Sequence, residues 1–209
     1  MNPDAPENRL ILFVKAPRPG FVKTRLAAVV GDRTAAETYE ALVETLLARL
    51  NQLDGIELKY APADARDEIL PWLRPGWTAS PQCEGDLTDR LVTAFAEAFA
   101  SGCDSVVIIG SDCPYISPDD VKQAFRDLKR HDLVLGPAVD GGYWLIGLNQ
   151  PRPSLFQDIP WSSETVLSET LSKAAAAGLS VRQLRELSDV DTVADLIRFN
   201  DWHRAGGGI

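Results

Sequence analysis

Two five-residue runs constrain the fold more than anything else in the chain: Leu10–Val14, LILFV, and Ser105–Ile109, SVVII. Runs this short and this apolar suit strands buried on both faces, whereas a strand with one wet face alternates apolar and polar. Between them the period changes. Thr34–Leu53 carries Ala35, Tyr39, Leu42, Val43, Leu46, Leu47 and Leu50 at helical spacing. Ile56–Tyr60 reads as a strand, Ala65–Leu73 as a short helix, and Leu87–Ala100 as a helix with Leu91, Val92, Phe95 and Phe99 on one side. Ser117-Pro118-Asp119-Asp120 opens another helix: a capping serine, a proline at the first position and acids in the first turn. Leu133–Leu135 and Tyr143–Gly147 read as strands around a Gly-Gly turn. Ser163–Ala177 reads as a helix stopped by Gly178, and Thr192–His203 as the last helix. Alternating strands and helices predict a three-layer α/β/α domain on a mainly parallel sheet, spanning residues 1–209 with loose ends at 1–8 and 205–209. Ligands of such sheets bind beyond the carboxyl ends of the strands. Asp112 and the segment after Val14 both lie at such ends.

The segment after Val14 is cationic in an acidic protein. Thirty acids against 21 bases give a formal net charge of −9, which argues against a nucleic-acid-binding surface. Yet no acid falls between Arg9 and Gly31, where Arg9, Lys15, Arg18, Lys23 and Arg25 are gathered. A Pro/Gly-rich loop of this kind suits di- or triphosphate recognition, with point charges from lysine and fork geometry from arginine. Gly20-Phe21-Val22-Lys23-Thr24 lacks the glycine that precedes the lysine of a Walker A loop, and no G-x-G-x-x-G is present. A solvated basic loop is the plainer alternative.

Three acidic stretches are candidates for chemistry. Asp112 closes the apolar strand in IIGSDCPYIS; it either folds an Asx turn or offers a carboxylate to magnesium or manganese. Asp189 and Asp191 in SDVDT precede the last helix, where Asp191 is a cap or a second metal ligand. Asp140 with Gly141 and Gly142 makes either a hairpin turn or a close approach to a ligand. Tyr143 and Trp144 then point to opposite sheet faces, one of them free to line a pocket. Cys83, Cys103 and Cys113 form no C-x-x-C pair, and only His131 and His203 accompany them, so a thiolate or imidazole zinc site is not expected. Cys113 reads as a buried reduced thiol and not as a nucleophile. No run reaches the roughly 18 apolar residues of a membrane span. The start, MNPDAPENR, has neither region of a secretory signal, so a cytoplasmic protein without membrane or nucleic-acid partners is expected.

In series, FVKAPRPGFVKTRLA, QCEGDLTDRL, IIGSDCPYIS, LVLGPAVDGGYWLIGL, FQDIPWSSETV and DVDTVADL resemble the small GT-A-fold glycosyltransferase family described as arsenosugar-biosynthesis-type, formerly a domain of unknown function. That family is similar in turn to the molybdenum-cofactor, CMP-sugar and phospholactate nucleotidyltransferases. The resemblance covers about Leu10 to Asn200. It implies a GT-A nucleotide-diphospho-sugar transferase fold. It also implies nucleotide phosphates held by Lys15, Lys23, Arg25 and Arg18, with Gly85 and Arg90 on the nucleotide. A divalent metal, Mg2+ or Mn2+, would be held by Asp112 and Asp191, and the sugar or acceptor by Gly141, Gly142, Tyr143 and Trp161 beside Asp140. Thr88 departs from the pattern, standing where the family has a glycine.

The function these residues imply is metal-dependent glycosyl transfer from a nucleoside diphosphate sugar to a small-molecule acceptor. Asp112 would serve the metal and Asp140 act as general base. The alternatives are nucleotidyl transfer from an NTP to a phosphorylated acceptor with release of pyrophosphate, and a non-catalytic nucleotide-sugar-binding module.

Overall fold

In the computed structural model, which describes residues 7–207, the two apolar runs lie side by side at the centre of one sheet. The elements in chain order are β1 (Asn8–Lys15), α1 (Thr24–Val30), α2 (Asp32–Leu50), β2 (Glu57–Ala61), α3 (Arg66–Ile69), β3 (Thr78–Pro81) and α4 (Leu87–Ala100). Then follow β4 (Ser105–Gly110), α5 (Pro118–Leu128), β5 (Leu133–Pro137), β6 (Tyr143–Leu148), α6 (Val166–Ala176), β7 (Val181–Gln183) and α7 (Val193–Trp202). The strand order is β3-β2-β1-β4-β6-β5-β7. Only β6 runs against its neighbours, wedged antiparallel between β4 and β5.

Burial on both faces explains the uninterrupted apolar runs. Ile11 and Leu12 are adjacent, face opposite ways and are both fully buried, as are Val106 and Val107. Leu12 and Val107 join a core with Val43, Leu46 and Leu47 of α2 and Val121 and Leu128 of α5. Ile11 and Val106 join a second core with Leu91 and Phe95 of α4 and Ala174 of α6. Each such side chain contributes about 1.5–3 kcal/mol on leaving water. The three-layer α/β sheet expected from the sequence is the one observed.

The differences sit at edges and ends. The four-residue β3 and three-residue β7 carry no apolar run, because edge strands are only part-buried and make little demand on side chains. The basic segment was expected to be a Pro/Gly-rich loop, yet α1 begins at Thr24, so Arg25 lies in its first turn. α2 starts at Asp32 and stops at Leu50, Leu53 lying in the turn beyond. The short helix after Ala65 is four α-residues followed by a 3₁₀ turn, Leu70–Trp72, whose Pro71 has no N–H to continue it. α6 begins at Val166 and not at Ser163. The expected Ser117 cap is present, reciprocated by Asp120. Of the expected loose ends, residues 1–6 and 208–209 lie outside the described residues. Asn8 pairs in β1, and the Gly207 carbonyl accepts from Arg49.

Candidate active site

β4 ends at Gly110 opposite Phe13, and β1 runs two residues further, to Lys15. Beyond that edge opens a cleft of about 870 Å³. Six chain segments line it: the basic loop with Lys15, Lys23 and Arg25; Tyr39 of α2; the β3–α4 turn and first turns of α4 with Gln82, Gly85 and Arg90; the β4 tip with Ser111 and Asp112; Ser162; and Asp191. Placement at the carboxyl end of parallel strands is where an open α/β sheet presents ligands.

The two carboxylate stretches meet here. The Val190 amide donates to the Asp112 carbonyl at 3.0 Å, which folds the segment before α7 against the β4 tip. Lys23 sits between them, with Nζ paired to Asp112 Oδ1 and 3.0 Å from Asp191 Oδ1. Arg25 takes the other Asp191 oxygen at 2.7 Å. Burial works against the Lys23 charge, but Asp112 and Asp191 outweigh it and hold the ammonium above its ordinary pKa. Burial, and then the Asp112 carboxylate, push Asp189 up to about 7, with Asp140 and Asp191 adding and Lys23 opposing. Four aspartates thus share one electrostatic environment.

Among the described residues, no group of three or more His, Cys, Asp or Glu side chains is arranged to hold a metal ion. The fit to magnesium or manganese rests instead on donor chemistry. Asp112 and Asp191 each turn one hard carboxylate oxygen to a single cation position, and these ions take one or two protein carboxylates with the remainder from water and phosphate. The two residues fit such an ion.

Tyr39 and Ser111 belong to this site and escape the sequence reading. The Tyr39 hydroxyl accepts from the Lys15 amide at 2.8 Å and pairs with Ser111 Oγ at 2.8 Å. Tyr39 occupies a core position of α2, and its hydroxyl is the one signal that the position needs a polar partner. Gln82 is similar: its Nε2 donates to the Val14 and Lys59 carbonyls at 3.1 and 2.8 Å, and its Oε1 accepts from Arg90. It fixes Arg90 at the cleft wall.

The other expected site residues are placed as follows. Lys15, Lys23, Arg25, Gly85 and Arg90 line the cleft with Asp112 and Asp191. Arg18 does not; its guanidinium is spent on Glu68, 3.0 Å away at Nε, and on Asp64. Asp64 before α3 and Glu68 within it lie far from Arg18 in sequence, and neither acid was paired with it from sequence alone. Asp140 is exposed and accepts from the Gly142 amide at 3.0 Å, forming a turn. Gly141 lies at φ +87°, and a Cβ there would meet the Glu164 backbone. Its glycine therefore serves packing of the turn on the segment before α6. Tyr143 and Trp161 pack edge to face, ring centroids 6.3 Å apart, away from the cleft lining. Trp161 Nε1 donates to Thr88 Oγ1 at 2.8 Å, and Thr88 donates to the Phe156 carbonyl. The Thr88 hydroxyl thus ties α4 to this segment. Trp144 is buried beneath β5, its indole N–H on the Arg185 carbonyl. Cys113 is buried, and its thiol is pushed up by burial and then by Asp189, so it is no nucleophile.

Comparison with known proteins gives the family of the chain and relatives of its fold. Residues 45–163 match the family described as "Uncharacterized protein conserved in bacteria (DUF2064)". The chain is similar to a protein of Desulfovibrio desulfuricans G20, provisionally described as a nucleotide-diphospho-sugar transferase: 40% identity over 91% of this chain and 84% of that one, TM-score 0.85. It shares its fold with CMP:2-keto-3-deoxy-manno-octonic acid synthetase complexed with CTP: 14% identity, 96% and 100% covered, TM-score 0.60. It also shares it with Rv0371C of Mycobacterium tuberculosis H37Rv in complex with manganese: 15% identity, 94% and 99% covered, TM-score 0.50. No curated protein matches the sequence. No helix among the described residues is long and apolar enough to cross a membrane.

Proposed function

The chain belongs to the DUF2064 family, and from that premise we propose that it transfers a sugar from a nucleoside diphosphate sugar to a small-molecule acceptor. The observation that carries the reading is the convergence of Lys15, Lys23 and Arg25 with Asp112 and Asp191 on one cleft at the ends of β1 and β4. The 40% identical relative, provisionally described as a nucleotide-diphospho-sugar transferase, supports it.

Transfer from such a donor breaks the bond between the anomeric carbon and the diphosphate oxygen, and charge develops on the diphosphate. Lys15 and Arg25, exposed at the cleft, meet that charge where catalysis needs it, on the leaving group. Asp112 and Asp191 would hold magnesium or manganese, which when bound supplies further charge to the same phosphates. Gln82 and Arg90 form the wall against which the nucleoside rests, and Asp140, exposed on the turn before β6 and near enough to Asp189 to oppose its ionisation, takes the acceptor's hydroxyl proton as general base.

Nucleotidyl transfer is the second reading. The fold-level likeness to a CTP-bound synthetase favours it, and the same cations and carboxylates serve attack on an α-phosphate. One experiment separates the two. The protein is screened by thermal shift against nucleoside diphosphate sugars and NTPs with and without magnesium or manganese, and the stabilising donor is then incubated with candidate acceptors. Release of a nucleoside diphosphate supports glycosyl transfer, and release of pyrophosphate supports nucleotidyl transfer. Saturable binding with neither product across the panel makes the protein a binding module.

A further inference from the structure

Lys23 stands apart from the other cations of the basic loop. Lys15 and Arg25 are exposed, and Arg18 is paired with α3, whereas the Lys23 side chain is only 2% exposed. Its backbone is at φ 48°, ψ 45°, the left-handed region that a residue with a Cβ uncommonly adopts, immediately before α1. The ammonium ends between one oxygen of Asp112 and one of Asp191. Arg25 holds the far oxygen of Asp191, and Asp112 remains half-exposed to the cleft.

A buried ammonium is tolerated only against opposite charge, and a pair of carboxylates facing each other needs a cation between them. In the ligand-free protein each requirement meets the other. The position Lys23 fills is a point that both Asp112 and Asp191 address together. A divalent ion bound to the same two oxygens carries twice the charge, and it cannot share the place with an ammonium.

We infer that Lys23 is an exchangeable cation: its ammonium holds Asp112 and Asp191 together in the free protein, and a divalent ion entering between them drives it into the cleft to pair with nucleotide phosphate. The inference rests on the reading of Asp112 and Asp191 as metal ligands. It makes metal and nucleotide binding mutually supportive, because either one alone leaves Lys23 or the carboxylates without a full partner, and such coupling is reciprocal.

The test uses Mn2+ alone, titrated into the full chain and followed by electron paramagnetic resonance, for the wild type and Lys23→Met. Removal of the competing ammonium is expected to tighten Mn2+ binding by about tenfold or more, as loss of a neighbouring like charge does. A second measurement needs no variant: amine acetylation of the wild type, read by peptide mass spectrometry. Labelling of Lys23 is expected to rise when Mn2+ is added, while exposed Lys122 stays labelled and buried Lys59 stays protected. Equal Mn2+ affinity in both proteins, or Lys23 labelling that ignores Mn2+, overturns the exchange and leaves the metal reading standing. No Mn2+ binding by either protein removes the metal reading and the exchange with it.

Discussion

The hydroxyls of Tyr39 and Ser111 stand 2.8 Å apart beneath the cleft, and Tyr39 accepts the Lys15 amide at the same distance. One side chain of α2 thereby ties the start of the cationic loop to the residue that precedes Asp112. The spacing between the cationic loop and the Asp112 carboxylate is set by a hydroxyl that itself lines the cleft.

Tyr39→Phe is expected to destabilise the fold by about 1–3 kcal/mol, the cost of leaving the enclosed Lys15 N–H without its acceptor. Urea denaturation measures this. Binding of the nucleotide found by thermal shift should weaken as well, since both strand ends lose their common anchor. Unchanged affinity in a variant that is destabilised would reduce Tyr39 to a packing role.

Asp120 links helix capping to the loop that follows β4. It caps α5 through the Ser117 amide at 2.8 Å and receives both Nε and Nη2 of Arg185 at 2.7 Å, while Arg185 also donates to the Tyr115 carbonyl. Burial opposes ionisation of Asp120, but Arg185 and Ser117 prevail and hold its pKa below the ordinary value. A depressed folded pKa means stability that is fully present above the unfolded value, near pH 4, and lost as pH falls through the folded one. Stability in urea should therefore decline on acidification below about pH 4, and Asp120→Asn should flatten that decline. An acid limb identical in the variant would remove Asp120 from the account.

The turn at Gly141 carries a sharper expectation. Gly141→Ala places a Cβ at φ +87° and against the Glu164 backbone, and neither neighbour is the movable tip of a side chain. The variant should lose about 2 kcal/mol or more, combining left-handed strain with the displaced contact. Thermal melting reads it, with the exposed Gly178→Ala, at φ +67° with open space around it, as the strain-only control.

How far the sequence foretold all this follows the strength of each physical demand. Leu10–Val14 and Ser105–Ile109 announced the sheet centre because burial on both faces admits nothing polar. The segments Thr78–Pro81 and Val181–Gln183 were silent because an edge strand demands only a backbone. Asp112 stood out as an ionisable group at the end of an apolar strand, and the Val190–Asp112 hydrogen bond brings the Asp191 segment beside it. The Lys23 ion pair was not legible, since residues 89 and 168 positions away meet it only through the fold. Gly141 and Gly142 read equally as ligand approach or as turn. Sequence does not tell a glycine that makes room for a ligand from one that makes room for Glu164.

The three free thiols should divide by exposure. Cys103 and Cys113 are buried and Cys83 is half-buried at the β3–α4 turn. Burial raises the Cys113 pKa and keeps reagent out, so its thiolate is doubly scarce. Ellman's reagent should titrate Cys83 first in the native protein, and all three only in denaturant. Native labelling of Cys113 at a rate like that of Cys83 would mean that the Asp112–Ser117 loop opens in solution.

Asp112→Asn is the decisive substitution for the site. Asparagine keeps the shape of the side chain and removes its charge, so Lys23 retains Asp191 at 3.0 Å but loses the stronger of its two electrostatic partners. The backbone role of residue 112, accepting from the Val190 amide, is untouched by the change. The variant should unfold cooperatively and crystallise or sediment as the wild type does, yet show no metal-dependent turnover and much weaker Mn2+ binding. Full turnover in Asp112→Asn would take the metal away from the tip of β4. A variant that no longer folds would instead make the carboxylate a structural partner of Lys23, and Asp191→Asn would then have to be tested in its place, because it removes the same cation position from the other side.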